Sequence, residues 1–383
     1  MLIALAVGLM LMLAVVVVQV GASTQNMRIS DANQRDNEVR AAFDMLTQDV
    51  ASAGFLLTPG VPNCAGRLNF DSGAPSPNYF ATNQVSALAS STGLQLPMAT
   101  AGTLTMDYPA SGSSNRSDVL VISRASDATQ YGDPYTPTTL ASPNAAYHPM
   151  TTGLVPVSSA ASLTAGHVAL LSVPLGGQLL CLRVPVSSIG TASSSPYMAG
   201  ASGTLMPSTF YTGFSGKLAT VGMGSYTLSD ALLMQAKVLD MGTAAASNQV
   251  TYVYYVSGSS YTWPTLMRAT IDSLNDTVTK VQPIAAGVVS LQVLFGVDTT
   301  GSGGVTAYQT GATVATSNSY ASIRSVRIGV IARSLYADPS YTAPTTITLP
   351  GGSPFTPFTV SASNNRHTAL ITEVAVRNTL WTP

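Results

Sequence analysis

The chain opens on an apolar run, Met1 to Val18, and then turns polar without interrupting a helical pattern. As a helix at ~1.5 Å per residue, this run would cover about 27 Å, close to the hydrocarbon core of a bilayer, so it predicts one membrane crossing within residues 1–22. No proline precedes Pro59 and no glycine falls between Gly21 and Gly54, so the helix is expected to continue as an amphipathic half over 23–54. Val39, Phe43, Leu46, Val50 and Ala53 recur there at helical spacing on one stripe, with Arg40, Asp44, Gln48 and Asp49 off it. Val39, Phe43, Leu46 and Val50 are therefore expected to pack against a sheet. Asp31/Arg35 and Asp36/Arg40 are opposite charges four residues apart, which suits a solvated helical face. Gly54 is placed to end the helix in a left-handed conformation. Two other readings of the apolar run are a cleaved secretory signal, with Val20-Gly21-Ala22 as the cleavage region, and a helix buried on every side.

Beyond Gly54 the pattern changes to short strand-like runs separated by turn-rich segments. The runs are Ser117 to Ser123, Val168 to Val173, Gln178 to Val184, Val250 to Val256, Val288 to Phe295, Ile323 to Arg333 and Thr368 to Val376. Val326, Ile328 and Val330 alternate with Ser325, Arg327 and Gly329, the period of an antiparallel strand with one covered face. The amphipathic helix is the natural cover, so the fold class is α+β, a long N-terminal helix on an antiparallel sheet. Residues 55–383 then form a large, loop-rich β domain of one elaborated body or two lobes. Ser229 to Asp240 and Val85 to Ser90 are candidate short helices. Thr58 to Thr92, Gly132 to Ser162, Ser187 to Gly216, Asp298 to Ser319 and Tyr336 to Asn365 are too polar and too broken by Gly and Pro for core, and read as surface loops.

Only 9% of residues are charged, about a third of the usual share, and the net charge is -1, so nothing favours nucleic acid as a partner. The motifs of serine hydrolases, zinc proteases, phosphate loops and dinucleotide sites are absent, and the three histidines, His148, His167 and His367, are scattered. The chain reads as a non-enzyme without cofactor or metal. Asp298 to Gly304 has the outline of a calcium loop, but Thr300 and Ser302 stand where carboxylates would be needed, so a hairpin turn is expected. Cys64 and Cys181 are the only cysteines; in an exported chain they read first as one disulfide, with two buried thiols as the alternative.

Several segments together resemble the PilW class of type IV pilus minor pilins. They are Ile3 to Leu13, the helix end from Ala42 through Asp49-Val50 to Phe55, Cys64, Ser117 to Leu120, and Gly166 to Val173 with Cys181. The likeness continues through Tyr252 to Val256 with Trp263 and Arg268, Pro283 to Asp298, Ile323 to Arg333 and the ending Val376-Arg377-Asn378. The resemblance implies a pilin-like fold and a structural subunit that primes pilus assembly and sits at or near the tip. Its partners would be other minor and major pilins and a tip adhesin. It also implies a single-pass inner-membrane protein before assembly, with the globular domain outside the cytoplasm, and an extracellular filament subunit afterwards. Ile3, Leu5, Leu9, Leu13 and Val16 would line the membrane or the filament core. Prepilins carry a basic leader and an early mature glutamate, and neither precedes Ile3, so the chain is expected to start downstream of a natural start. A type II secretion pseudopilin, which shares the helix, and an adhesive binding subunit with Ser/Thr/Tyr-rich loops are the competing functions.

Overall fold

The computed structural model describes residues 2–53, 64–69, 75–76, 85–89, 94–98, 103–106, 117–125, 138–139, 154–157, 159, 163–175, 178–192, 195–199, 237–240, 249–258, 263–272, 277–317, 322–350, 355–360 and 364–376. Helix α1 spans Leu2–Ala51, 50 residues without a break, or about 75 Å. The strands follow in chain order: β1 (Cys64–Asn69), β2 (Pro75–Ser76), β3 (Val85–Ala89), β4 (Leu94–Pro97), β5 (Thr103–Met106), β6 (Asp118–Ala125), β7 (Thr138–Thr139), β8 (Leu154–Pro156), β9 (Val168–Leu175), β10 (Gln178–Pro185) and β11 (Ser188–Ala192). They continue as β12 (Ser195–Ala199), β13 (Lys237–Asp240), β14 (Gln249–Ser257), β15 (Thr265–Asp272), β16 (Thr277–Ala286), β17 (Val288–Val297), β18 (Ala307–Thr310), β19 (Ile323–Arg333), β20 (Thr346–Ile347), β21 (Phe358–Thr359) and β22 (His367–Ala375). A short helix, α2 (Gly311–Ser317), lies between β18 and β19.

Two antiparallel sheets carry the helix. One has the order β16-β15-β14-β6-β3 and the other β18-β17-β19-β22. Side chains at the start of β6 stitch them together: Asp118 Oδ2 accepts the Val293 N–H at 2.7 Å, and Ser117 Oγ accepts that of Leu291 at 3.1 Å. The apolar stripe of α1 fills the space over both sheets. Val39, Ala42, Leu46 and Val50 share one cluster with Leu120, Tyr254, Leu266, Ala285, Phe295, Val326, Ile328 and Val330, and Phe43 packs at its margin. The result is an α+β, pilin-like architecture, a helix packed on a large antiparallel β body. Among the described residues a further sheet, β2-β1-β10-β9-β13-β7, and a three-stranded one, β11-β12-β8, lie outside this junction.

The two carrying sheets are covered on both faces, which differs from the single covered face expected from the alternation. Behind the five-stranded sheet, Val119, Val121, Val253, Tyr255, Met267 and Ile271 form a second cluster, capped by Met98 and Leu104. Behind the four-stranded sheet, Leu349, Phe355, Phe358 and Val360 pack on Val289, Leu294 and Ile331. These four belong to the Tyr336 to Asn365 stretch expected to be a surface loop. Its apolar residues are spaced too widely among Thr, Pro and Gly for a periodic signal, yet together they bury one sheet face. Asp298 to Ser319 likewise contains α2, whose Val314 is fully buried in the main core.

Four further expectations are corrected. Among the described residues no helix is long and apolar enough to cross a membrane. That bears on the apolar run Met1 to Val18, expected to make one crossing within residues 1–22. The single-pass inner-membrane placement drawn from that run falls with it. The Cys64–Cys181 disulfide is also not found among the described residues. Both cysteines lie on neighbouring parallel strands, but Cys64 pairs with Leu179 and Cys181 with Arg67. The register shifts between Cys64 and Gly66, and the two cysteines are not cross-strand partners. Val85–Ala89 is a strand paired with β6, not a helix, because so short an apolar run takes whichever form finds a partner. In Ser229 to Asp240, residues 237–240 are strand β13 and 229–236 lie outside the described residues, as do His148 and Gly54.

The corner between the two sheets turns on Gly287, at φ 79°. Its N–H donates to the Pro264 carbonyl at 2.7 Å and its carbonyl accepts the Arg333 N–H at 2.7 Å. A Cβ here would sit 2.6 Å from the Arg333 carbonyl oxygen. Gly287→Ala combines left-handed strain with a backbone clash and is expected to destabilise the protein by about 1–3 kcal/mol, read by urea denaturation.

Candidate functional site

Two features of α1 stand out: how its second half is fastened to the sheets, and how much of its first half is left uncovered. The fastening begins with Asp49, which lies off the apolar stripe in the sequence pattern yet is only 6% exposed. Its Oδ2 accepts a 2.5 Å hydrogen bond from the Tyr254 hydroxyl and a 3.2 Å bond from Arg268 Nη1. Arg268 Nη2 in turn donates to Gln282 Oε1 at 3.1 Å, and the guanidinium lies 4.7 Å from the centre of the Tyr252 ring. Strand register explains why these groups meet. Tyr254 is the cross-strand partner of Arg268, and Arg268 that of Gln282, so the three form a row across β14, β15 and β16 beneath the helix end.

The row gives the Asp49 carboxylate, the Tyr254 hydroxyl and both terminal nitrogens of Arg268 partners of opposite character, while Arg268 Nε is buried without one among the described residues. Burial pushes the Tyr254 hydroxyl far above its ordinary pKa, and the Asp49 charge and hydrogen bond add to that, so Tyr254 stays protonated and donates. A second fastening lies ~21 Å along the helix, fourteen residues earlier. Arg35, 6% exposed, donates through Nη2 to Thr368 Oγ1 at 2.9 Å and to Asp36 Oδ1 at 2.8 Å. Neither anchor was among the expected contacts. The available signal was a carboxylate beside Val50 with a mid-strand arginine and tyrosine elsewhere, which becomes specific only once strand register is known.

Among the described side chains, the first half of α1 is bare from Gly8 onward. Leu9, Leu13 and Val16 are 62%, 63% and 55% exposed, and Met10, Met12 and Val18, on other faces, are at least as open. Side chains of Ile3 and Leu5 lie outside the described residues. An apolar helix exposed on all sides is the mark of a surface awaiting a partner.

Candidate chemistry elsewhere is sparse. Among the described residues no group of His, Cys, Asp and Glu could hold a metal ion. His167 Nδ1 lies 2.8 Å from Asp240 Oδ1, a pair that ties the start of β9 to β13. The Asp298 turn is an anion held by backbone, not a cation site. Asp298 accepts N–H groups from Thr300, Ser302 and Gly303, at 3.1, 3.1 and 2.6 Å, and Gly301 and Gly303 take positive φ to aim them inward. Burial alone would raise this carboxyl, but the N–H groups of Gly303, Ser302, Thr300 and Gly301 outweigh it and hold the pKa at about 2. A group depressed in the folded state stabilises fully above its unfolded pKa, about 4, and loses that contribution as pH falls through the folded one. Between about pH 4 and pH 2 the thermal midpoint is expected to drop more steeply in the wild type than in Asp298→Asn, followed by circular dichroism.

No curated protein and no solved structure matches the chain. The family found by comparison is of a structural, non-catalytic kind. It covers β14 from its fifth residue through the end of β22, the strands that hold Tyr254, Arg268 and Gln282 under the helix. Residues 253–378 match the family model PilW, type IV pilus-assembly protein W, so the chain carries a PilW-family domain over that part, with a general role in type IV pilus assembly among pilins and their machinery.

Proposed function

We propose that this chain is a structural minor pilin that primes assembly of a type IV pilus and sits at or near its tip. The observation that carries the reading is a half-bare apolar helix rooted in a PilW-family domain. Leu9, Leu13 and Val16 gain cover only by packing against something apolar, and helices of like subunits offer close van der Waals contact along their whole length. A subunit whose bare helix is the first to be covered lowers the cost of starting a filament, which is what priming means physically. Ile3 and Leu5 belong to the same assembly surface, and residues 55–383 would be carried outward on the filament end.

Sheared pili analysed by mass spectrometry, with and without the gene, test this. The chain is expected in the wild-type preparation, piliation is expected to fall in the deletion strain, and labelling is expected at filament ends. Val16→Asp should lower incorporation at least about tenfold by placing a charge in the helix bundle, with little change in folding because Val16 is 55% exposed in the free chain. Absence from pili together with normal piliation in the deletion strain would reject the role.

A further inference from the structure

Beside α1, where Glu38 passes the start of β15 and the end of β16, lies an open groove of about 390 Å³. Trp263, Pro283, Ile284 and Ala286 give it apolar walls, and Thr265 and Glu38 contribute polar groups. The Thr265 hydroxyl is spent on the Trp263 carbonyl at 2.8 Å. Trp263 is set by an edge contact with Tyr336, ring centres 6.1 Å apart at 66°. Glu38 is therefore the one charge facing the groove, and its Oε1 accepts only the neutral Gln34 amide at 3.1 Å among the described residues. Three residues before Glu38 on the helix, Arg35 is bound to Asp36 and Thr368.

A carboxylate with no cation beside it among the described residues, at the mouth of an apolar slot with an indole in its wall, has the chemistry to receive a guanidinium. Its plane can pair with the carboxylate and lie against the aromatic ring, while three methylenes run along Pro283 and Ile284. We propose that this groove receives an arginine side chain from a neighbouring filament subunit. The proposal rests on the pilus-assembly reading for the identity of the neighbour, and on Glu38 and Trp263 for the chemistry. The groove borders α1 at the level where its packing on the sheets begins, so a subunit lying along the bare half of the helix would have its own body beside it.

Two experiments separate the groove from the assembly reading. In the first, the full chain with Trp381→Phe, which leaves Trp263 as the sole indole, is titrated with N-acetyl-arginine amide and followed by fluorescence. A saturable response is expected, weakened at least about tenfold by Glu38→Gln. No response, or equal responses with and without Glu38, overturns the groove whatever the pilus assay returns. In the second, Glu38→Lys is expected to lower the chain's amount in sheared filaments about tenfold at an unchanged thermal midpoint, through like-charge repulsion of the incoming arginine. Incorporation at the wild-type level overturns the docking while leaving the assembly role intact. Absence of the wild-type chain from pili overturns the assembly reading and the named neighbour together, and the titration then still reports on the groove's chemistry.

Discussion

Asp49→Ala is expected to cost roughly 2–4 kcal/mol of folding stability, because it strips two donors of their shared acceptor at once. Tyr254 is fully buried and the Arg268 side chain is 19% exposed, so water can reach the arginine in part and the phenol hardly at all. The loss is therefore set more by the orphaned groups than by the ion pair itself. Tyr254→Phe removes one bond but leaves the Asp49–Arg268 pair, and about 1–2 kcal/mol is expected. In the double variant the two losses should fall short of their sum, the signature of a shared network. Urea denaturation of all three against the wild type measures this; a loss under about 0.5 kcal/mol for Asp49→Ala would show that the row does not fasten the helix.

Leu46→Ala is expected to lower stability by about 2–5 kcal/mol, since Leu46 is 0% exposed in the cluster shared by the helix and both sheets. Its surroundings are sheet residues fixed by ladders on both sides, so they can collapse little into the cavity. The cost should lie toward the upper end of that range. Substitution of exposed Met45 by alanine, one residue earlier on the same helix, provides the control and should stay within about 0.5 kcal/mol.

The main parts of the fold were legible because their signals are local. The absence of any proline before Pro59 and of any glycine between Gly21 and Gly54 marked α1, runs rich in Val, Leu and Tyr marked β14 and β17, and alternation at period two marked β19. Val39, Leu46 and Val50 could be chosen by spacing alone. Asp49 could not, because a polar residue beside a stripe reads as solvated unless its partners are known, and Tyr254 and Arg268 are more than two hundred residues away in the chain. Leu349, Phe355 and Phe358 escaped for a related reason: each is a lone apolar residue among turn formers, and their common face exists only after folding. The same holds for Glu38 and Trp263, which nothing in sequence order brings together.

The two fastenings of α1 also have a mechanical meaning. Arg35 grips the start of β22 and Asp49 the row under β14 to β16, and the apolar stripe lies between them. A pull along the helix axis therefore loads both grips and the stripe in parallel, as shear, instead of peeling one contact after another. Such a joint resists until its whole length yields, so the helix can transmit tension into the β body without being stripped from it.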